Sequence, residues 1–480
     1  MRYLSTRGEA PPRDFEAVLL AGLAEDGGLF VPETWPILSA AEWRALRGLP
    51  YAELAARLIH PFTGGQIALA DLRAMTGAAY AGFGHPAVTP LVQLDSRTFA
   101  LELFHGPTLA FKDVALQLLG QLFEHVLAKR GERITIVGAT SGDTGSAAIE
   151  ACRDRDRIDI VILHPHGRTS AVQRRQMTTV VADNVANIAV EGDFDACQDL
   201  VKAMFNDATF RREMNLSAVN SINWARIAAQ IPYYAAAALA LGAPDRPVAF
   251  SVPTGNFGNV LAAWAARRMG LPIGRLIIGA NRNDILARFL AANDMTMRPV
   301  EPSLSPSMDI QVSSNFERLL FELLGRDAAA TAEQMRRFRA EGRMPVPDAA
   351  WRDATALFRG STLDDAGTLA EIRRLWQGQA YLADPHTAIG TAAARVQGLA
   401  PEDPGVPVVV AATAHPAKFP DAVEQATGIR PPLPARLGDL FGREERFAVM
   451  PADLSQVEGF VRSHTRRNRG GRPARILPWA

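Results

Sequence analysis

Apolar residues recur every three or four positions in three stretches near the N-terminus, Phe15 to Leu23, Ala41 to Leu46 and Tyr51 to Ile59. That is the spacing of one buried face on an α-helix. Gly27-Gly28 and Pro32 break the chain between the first two, and the composition changes near His85-Pro86, so residues 1–90 read as a helical N-terminal domain. Beyond it the pattern alternates. A helix is predicted from Asp113 to Arg130, with Val114, Leu118, Leu122, Phe123 and Val126 along one face. Strands are predicted at Ile134 to Ala139, Ile158 to Leu163, Asn187 to Val190, Val248 to Thr254 and Leu276 to Ala280, with helices from Ser146 and over Val260 to Met269. Short β-branched runs alternating with helices predict an α/β fold built on a buried, largely parallel sheet. Residues 320–400 read as helix-rich, followed by a further buried strand, Val406 to Thr413.

The chain has 480 residues, enough for two or three domains. The 51 basic residues balance 51 acidic ones, so no net field draws the protein to nucleic acid or to an anionic membrane. No apolar run approaches the roughly 18 residues of a membrane span. The run Phe15 to Ala24 is broken by Glu16 and lacks a basic flank, which argues against a signal peptide. Cytoplasmic residence is the expectation. Cys152 and Cys197 lack the spacing of a disulfide framework or a zinc site. The basic tail after Ser463 reads as a surface terminus rather than a nucleic-acid element. Only four lysines occur, Lys112, Lys129, Lys202 and Lys418, so amine chemistry has few places to reside.

Two glycine-rich loops follow predicted strands and lead into helices, where ligands of open α/β sheets collect. They are Ser141-Gly142-Asp143-Thr144-Gly145 and Gly255-Asn256-Phe257-Gly258-Asn259. Backbone N–H groups at a helix start attract anions. The second loop has no nearby carboxylate, so phosphate is assigned to it; Asp143 suits the first to a hydroxyl or amine. Each loop alone also fits a tight turn that binds nothing. Lys112 lies in HGPTLAFKD, beside apolar Phe111 and Val114 and a helix start, surroundings that favour the neutral amine an imine requires. Lys418 is the competing candidate, while Lys129 and Lys202 suit exposed helix faces.

HGPTLAFKD resembles the cofactor-lysine segment of the long, bacterial and fungal threonine synthases. SGDTGSAA, NSINWARIAAQIPYY, VPTGNFGN, the stretch Leu304 to Glu322, DPHTAIG and TAHPAKFPDAV resemble the same family in order, as does the opening GLAEDGGLFVPETWP. The likeness runs to about residue 430. It implies the pyridoxal-phosphate (PLP) fold type II, tryptophan synthase β-like, with large and small α/β domains. On that model residues 91–430 form the catalytic region, with a small domain of about 113–240 inserted in the large one and the cofactor between them, and 431–480 form a C-terminal extension. Lys112 would form the imine, Gly255, Asn256, Phe257, Gly258 and Asn259 would hold the cofactor's phosphate, Thr413 would lie near its ring nitrogen, and Asp143 would contact its phenolic oxygen or the substrate. Ser141, Thr144, Asn223 and Arg226 are the expected contacts to the substrate's phosphate and carboxylate, Arg being suited to oxyanions. The implied reaction turns O-phospho-L-homoserine and water into L-threonine and phosphate by γ-elimination and β-hydration, with no metal. A monomer and a homodimer stay equally open. Two rivals share these residues: a phospholyase that eliminates phosphate without hydrating the product, and a scaffold that has lost catalysis.

Overall fold

Strands covered on both faces lose the alternation of polar and apolar positions, and Val248–Pro253 and Val408–Ala412 are buried at every residue. They are the central pair of a six-stranded sheet ordered Phe358–Thr362, Ile273–Ala280, Val248–Pro253, Val408–Ala412, Thr98–Glu102 and Leu91–Gln93. Neighbours are parallel except Leu91–Gln93, which closes one edge in the antiparallel sense. The computed structural model describes residues 1–140, 142–219, 221–398 and 405–466. The chain divides into two compact units, Met1–Phe111 with Ser221–Pro431, and Lys112–Asn220 with Pro432–Ala480.

The six-stranded sheet belongs to the first unit. Helix Pro385–Gln397 lies close against it: a Cβ added to Gly390 would come within 3.0 Å of Val410 and 3.1 Å of Pro253. The Ser251 hydroxyl donates to the Gly390 carbonyl at 2.7 Å, fixing the helix along the strand. Residues 1–90 fall within the first unit. Trp224 sits among Tyr3, Trp35 and Phe62 with ring centroids 5.7–6.0 Å apart, and Trp35 also meets Trp264 at 5.3 Å. Each such pair adds about 0.5–1.5 kcal/mol beyond area burial. The N-terminal segment thereby shares one aromatic core with helices Trp224–Ala228 and Gly258–Arg268.

The second unit carries a five-stranded, all-parallel sheet ordered Ala448–Pro451, Val185–Glu191, Ile158–Pro165, Ile134–Ala139 and Leu216–Ser217. Its first segment runs from Lys112 to Asn220, and helices Trp224–Ala228 and Ile231–Ala240 belong to the first unit. The second unit also takes in the C-terminal segment, which supplies the edge strand Ala448–Pro451 and a helix, Leu454–His464, whose Val457 and Val461 join Val161, Ile188 and Met204 in the core. Arg174 grips Glu445 through two hydrogen bonds of 2.8 and 3.0 Å, and Arg466 meets buried Asp159 at 2.8 Å. The tail beyond Arg466 lies outside the described residues. Among the described residues, no helix is long and apolar enough to cross a membrane.

Buried His164, in strand Ile158–Pro165, makes this unit acid-sensitive. Burial pushes its imidazole down to about 4, below the unfolded value near ~6.5. The unfolded chain therefore binds the proton first, and stability present above pH ~6.5 is lost as pH falls toward the folded value. The full loss is about 3 kcal/mol. Urea unfolding of wild type and His164→Phe at several pH values should show a shallower pH slope for the variant between pH ~6.5 and ~4. Equal slopes would remove His164 as the source.

Candidate active site

Lys112 is the first residue of helix Lys112–Arg130. The chain just before it is fixed, with the Phe111 N–H donating to the Thr413 carbonyl at 2.8 Å and Ala110 bridging to Ala414. Lys112 is 9% exposed, and its Nζ lies 3.3 Å from Asp143 Oδ2. Asp143 opens helix Asp143–Cys152, and its other oxygen accepts from Gln173 Nε2 at 2.9 Å. The lysine thus has a carboxylate beside it, where the sequence suggested only apolar neighbours. The competing Lys418 is fully buried and donates to the Thr108 carbonyl at 2.8 Å. Lys202 is exposed and paired with Asp199.

The first glycine loop does not present all its amides. Thr140 Oγ1 accepts from the N–H groups of both Gly142 and Gly145, each at 3.0 Å. Gly142 has φ +145°, and a Cβ there would strike Gln173 at 2.6 Å. Two potential anion donors are occupied, in keeping with the assignment of phosphate to the other loop. Thr144 is half-buried on the helix that follows, and Ser141 lies outside the described residues.

The second loop, in the other unit, is built differently. It leaves the buried strand Val248–Pro253 and enters helix Gly258–Arg268, whose N-terminus no side chain caps. The opening N–H groups of a helix have no partner within it. The left-handed residue is Phe257, at φ +64°, rather than one of the glycines. A bulky residue there costs about 1–3 kcal/mol and persists only where surrounding structure enforces it. The Phe257 ring is buried against Phe316 and Phe358, with centroids 5.7 and 5.8 Å away. Gly255 has no room for a side chain, since a Cβ would lie 2.5 Å from the Ser307 carbonyl oxygen. Asn259 turns its side-chain oxygen inward, where it accepts from the hydroxyls of Tyr233 and Tyr234. Burial pushes both phenols well above their usual range and keeps them neutral donors.

Helix Trp224–Ala228 abuts this loop: a Cβ on Gly258 would lie 3.4 Å from Ile227 Cδ1. Arg226, next to Ile227, is 4% exposed, and burial pushes its guanidinium down to about 10. It stays charged near neutrality. Asn223 stands directly before this helix. Its oxygen caps the helix by accepting from Ala225 N at 3.0 Å, and its Nδ2 donates to the Leu19 carbonyl at 2.8 Å. Thr413 is buried just beyond strand Val408–Ala412. Sequence reasoning quoted but did not single out Tyr233, Tyr234, Ser313, Asn315 and Arg318. Ser313 Oγ donates to the Gly255 carbonyl at 2.7 Å, and Asn315 Nδ2 donates to the Asn256 carbonyl at 3.0 Å. Gln173 lay outside every quoted motif.

Family models match residues 2–80 (threonine synthase N terminus), 83–413 (pyridoxal-phosphate dependent enzyme) and 387–461 (threonine synthase, C-terminal). The threonine synthase of Pseudomonas aeruginosa is 57% identical over 470 residues, covering 98% of this chain and all of that one. The chain belongs to the threonine synthase family. A PLP-bound threonine synthase structure from Brucella melitensis is 54% identical with TM-score 0.95, covering 97% of this chain and 100% of that one. The yeast threonine synthase structure is 38% identical with TM-score 0.91, covering 96% and 98%. The fold is that of the type II PLP enzymes. The residues on hand suit the threonine synthase cofactor: a buried amine for its aldehyde, and a carboxylate-free glycine loop at an uncapped helix start for its phosphate. Gly258→Val should then weaken PLP binding by about 1.5–3 kcal/mol, roughly ten- to hundredfold, by blocking close approach of the backbone. Titration of cofactor-free protein, followed by visible absorbance, measures this; unchanged affinity would place the phosphate elsewhere.

Proposed function

We propose that this chain converts O-phospho-L-homoserine and water into L-threonine and phosphate, with Lys112 as the residue that carries PLP. The observation that supports it most is the buried Lys112–Asp143 pair, an amine held ready in a chain with few lysines. Bound PLP supplies an electron sink for negative charge developing on the substrate carbons. Lys112 Nζ, with Asp143 Oδ2 orienting it, would take the Cα proton and move a proton from Cβ to Cγ. The C–O bond at Cγ breaks as phosphate leaves, Cγ receives the proton taken from Cβ and becomes the methyl group, and water adds with its oxygen at Cβ and a proton at Cα.

We assign the cofactor's phosphate to residues 255–259 and its ring nitrogen to Thr413. The substrate's phosphate and carboxylate go to Arg226, Thr144 and Ser141. The planar guanidinium of Arg226 suits bidentate binding of an oxyanion such as phosphate. Asn223 supports this arrangement by capping the helix that bears Arg226. The proposal places the reaction in the cytoplasm, where two free, buried cysteines would stay reduced.

Incubation with phosphohomoserine should release threonine and phosphate in equal amounts. Release of 2-oxobutyrate in place of threonine would instead make this a phospholyase. Borohydride reduction followed by peptide mapping should label Lys112, and Lys112→Ala should abolish turnover while Lys129→Ala and Lys202→Ala do not. A label on Lys418 would overturn the assignment. Arg226→Lys keeps a charge but loses the planar fork, so kcat/KM for phosphohomoserine should fall sharply while cofactor absorbance persists. If kcat/KM is unchanged, Arg226 does not touch substrate.

A further inference from the structure

We propose that Ser313 and Asn315, steadied by Arg318, are positioning residues that aim the N–H groups of the 255–259 loop at an anion. The proposal rests on the reading that this loop holds the cofactor's phosphate. A trans peptide is planar, and its C=O and N–H point in opposite directions. Whatever holds a carbonyl on one side of the loop therefore turns the next residue's N–H to the other side. Ser313 Oγ donates to the Gly255 carbonyl at 2.7 Å, which turns the Asn256 N–H away from the 313–315 segment. The Asn256 carbonyl is held twice, by Asn315 N at 3.1 Å and Asn315 Nδ2 at 3.0 Å, which turns the Phe257 N–H the same way. These two donors extend the row that opens helix Gly258–Arg268.

The hold is needed because of Phe257. Its left-handed backbone, at φ +64°, is strained, and rotating the peptide between Asn256 and Phe257 would relieve it. That rotation would also put a carbonyl oxygen where the N–H had been, and a carbonyl repels phosphate. The two bonds from Asn315 oppose it. Asn315 is fully buried and cannot swing aside, because its Oδ1 accepts from Arg318 Nη1 and its Nδ2 also donates to the Ser221 carbonyl at 3.1 Å. Arg318 is anchored in turn on the Phe30 carbonyl at 2.8 Å and the Ile222 carbonyl at 2.5 Å. Through it, the N-terminal segment supports the loop.

The test compares two ligands that differ only in the phosphate. Full-length protein freed of cofactor is titrated with pyridoxal 5′-phosphate and with pyridoxal, reading visible absorbance in each case. Asn315→Asp keeps the acceptor for Arg318 and the backbone N–H but removes the side-chain donor to the Asn256 and Ser221 carbonyls, and Ser313→Ala removes the donor to Gly255. Each should weaken pyridoxal phosphate about tenfold or more while pyridoxal affinity stays within about threefold. Equal weakening of both ligands, or no weakening, would overturn the proposal. Gly258→Val in the same assay separates the two readings. A phosphate-selective loss in Gly258→Val alone sinks the positioning role and leaves the loop assignment standing. No selective loss in any of the three variants sinks the loop assignment, and the positioning role with it. Should Asn315→Asp fail to fold by circular dichroism, Ser313→Ala decides alone.

Discussion

A single buried guanidinium, that of Arg318, joins three stretches of chain far apart in sequence. It meets the Phe30 and Ile222 carbonyls and the side chain of Asn315, and it lies over the Trp224 ring at 5.7 Å. Burial pushes it down to about 9, so it stays protonated near neutrality. A buried charge is tolerated only when its donors find acceptors, and here carbonyl and amide oxygens serve. The neighbouring Glu317 repeats the arrangement with opposite sign, accepting from Thr6 Oγ1 at 2.7 Å and from Arg7 at 2.9 and 3.0 Å. Removing either residue would leave its partners buried without their bonds. The N-terminal segment, the helix bearing Arg226 and the segment behind the glycine loop are thus held as one piece.

The chain order carries its own logic. It leaves the first unit at Phe111, builds the second from Lys112 to Asn220, returns at Ser221, and leaves again at Pro432. Lys112 is therefore the first residue of an excursion, fixed from behind by the bonds at Ala110 and Phe111 and from ahead by a long helix. Such a position limits the backbone freedom of the amine without any contact to its own side chain. Asp143 then needs only to orient the terminal nitrogen.

The central strands and their flanking helices were legible in the sequence because each satisfies a local rule. Ile134–Ala139 and Val248–Pro253 are runs that only a doubly covered sheet explains. Phe358–Thr362, Leu216–Ser217 and Ala448–Pro451 were not foreseen, since short edge strands are set by the backbone partner they find rather than by their own pattern. The place of the C-terminal segment in the second unit rests on Arg174–Glu445 and Val457, contacts between residues more than two hundred positions apart in the case of the ion pair. The site was legible as motifs, not as geometry. Asn223, directly before a helix, carried the signal of an N-cap. Phe257 offered no signal, because nothing local announces that the strained residue of GNFGN is the aromatic one.

Phe257 has a consequence for anyone who would make this enzyme hardier. Left-handed backbone at a non-glycine residue is where consensus and design rules look first, and glycine there would lift a local penalty. The same exchange would empty the space its ring fills between Phe316 and Phe358, a cavity whose cost rivals or exceeds the strain removed. A selection scored on survival at high temperature would therefore keep the aromatic ring and the strained turn together.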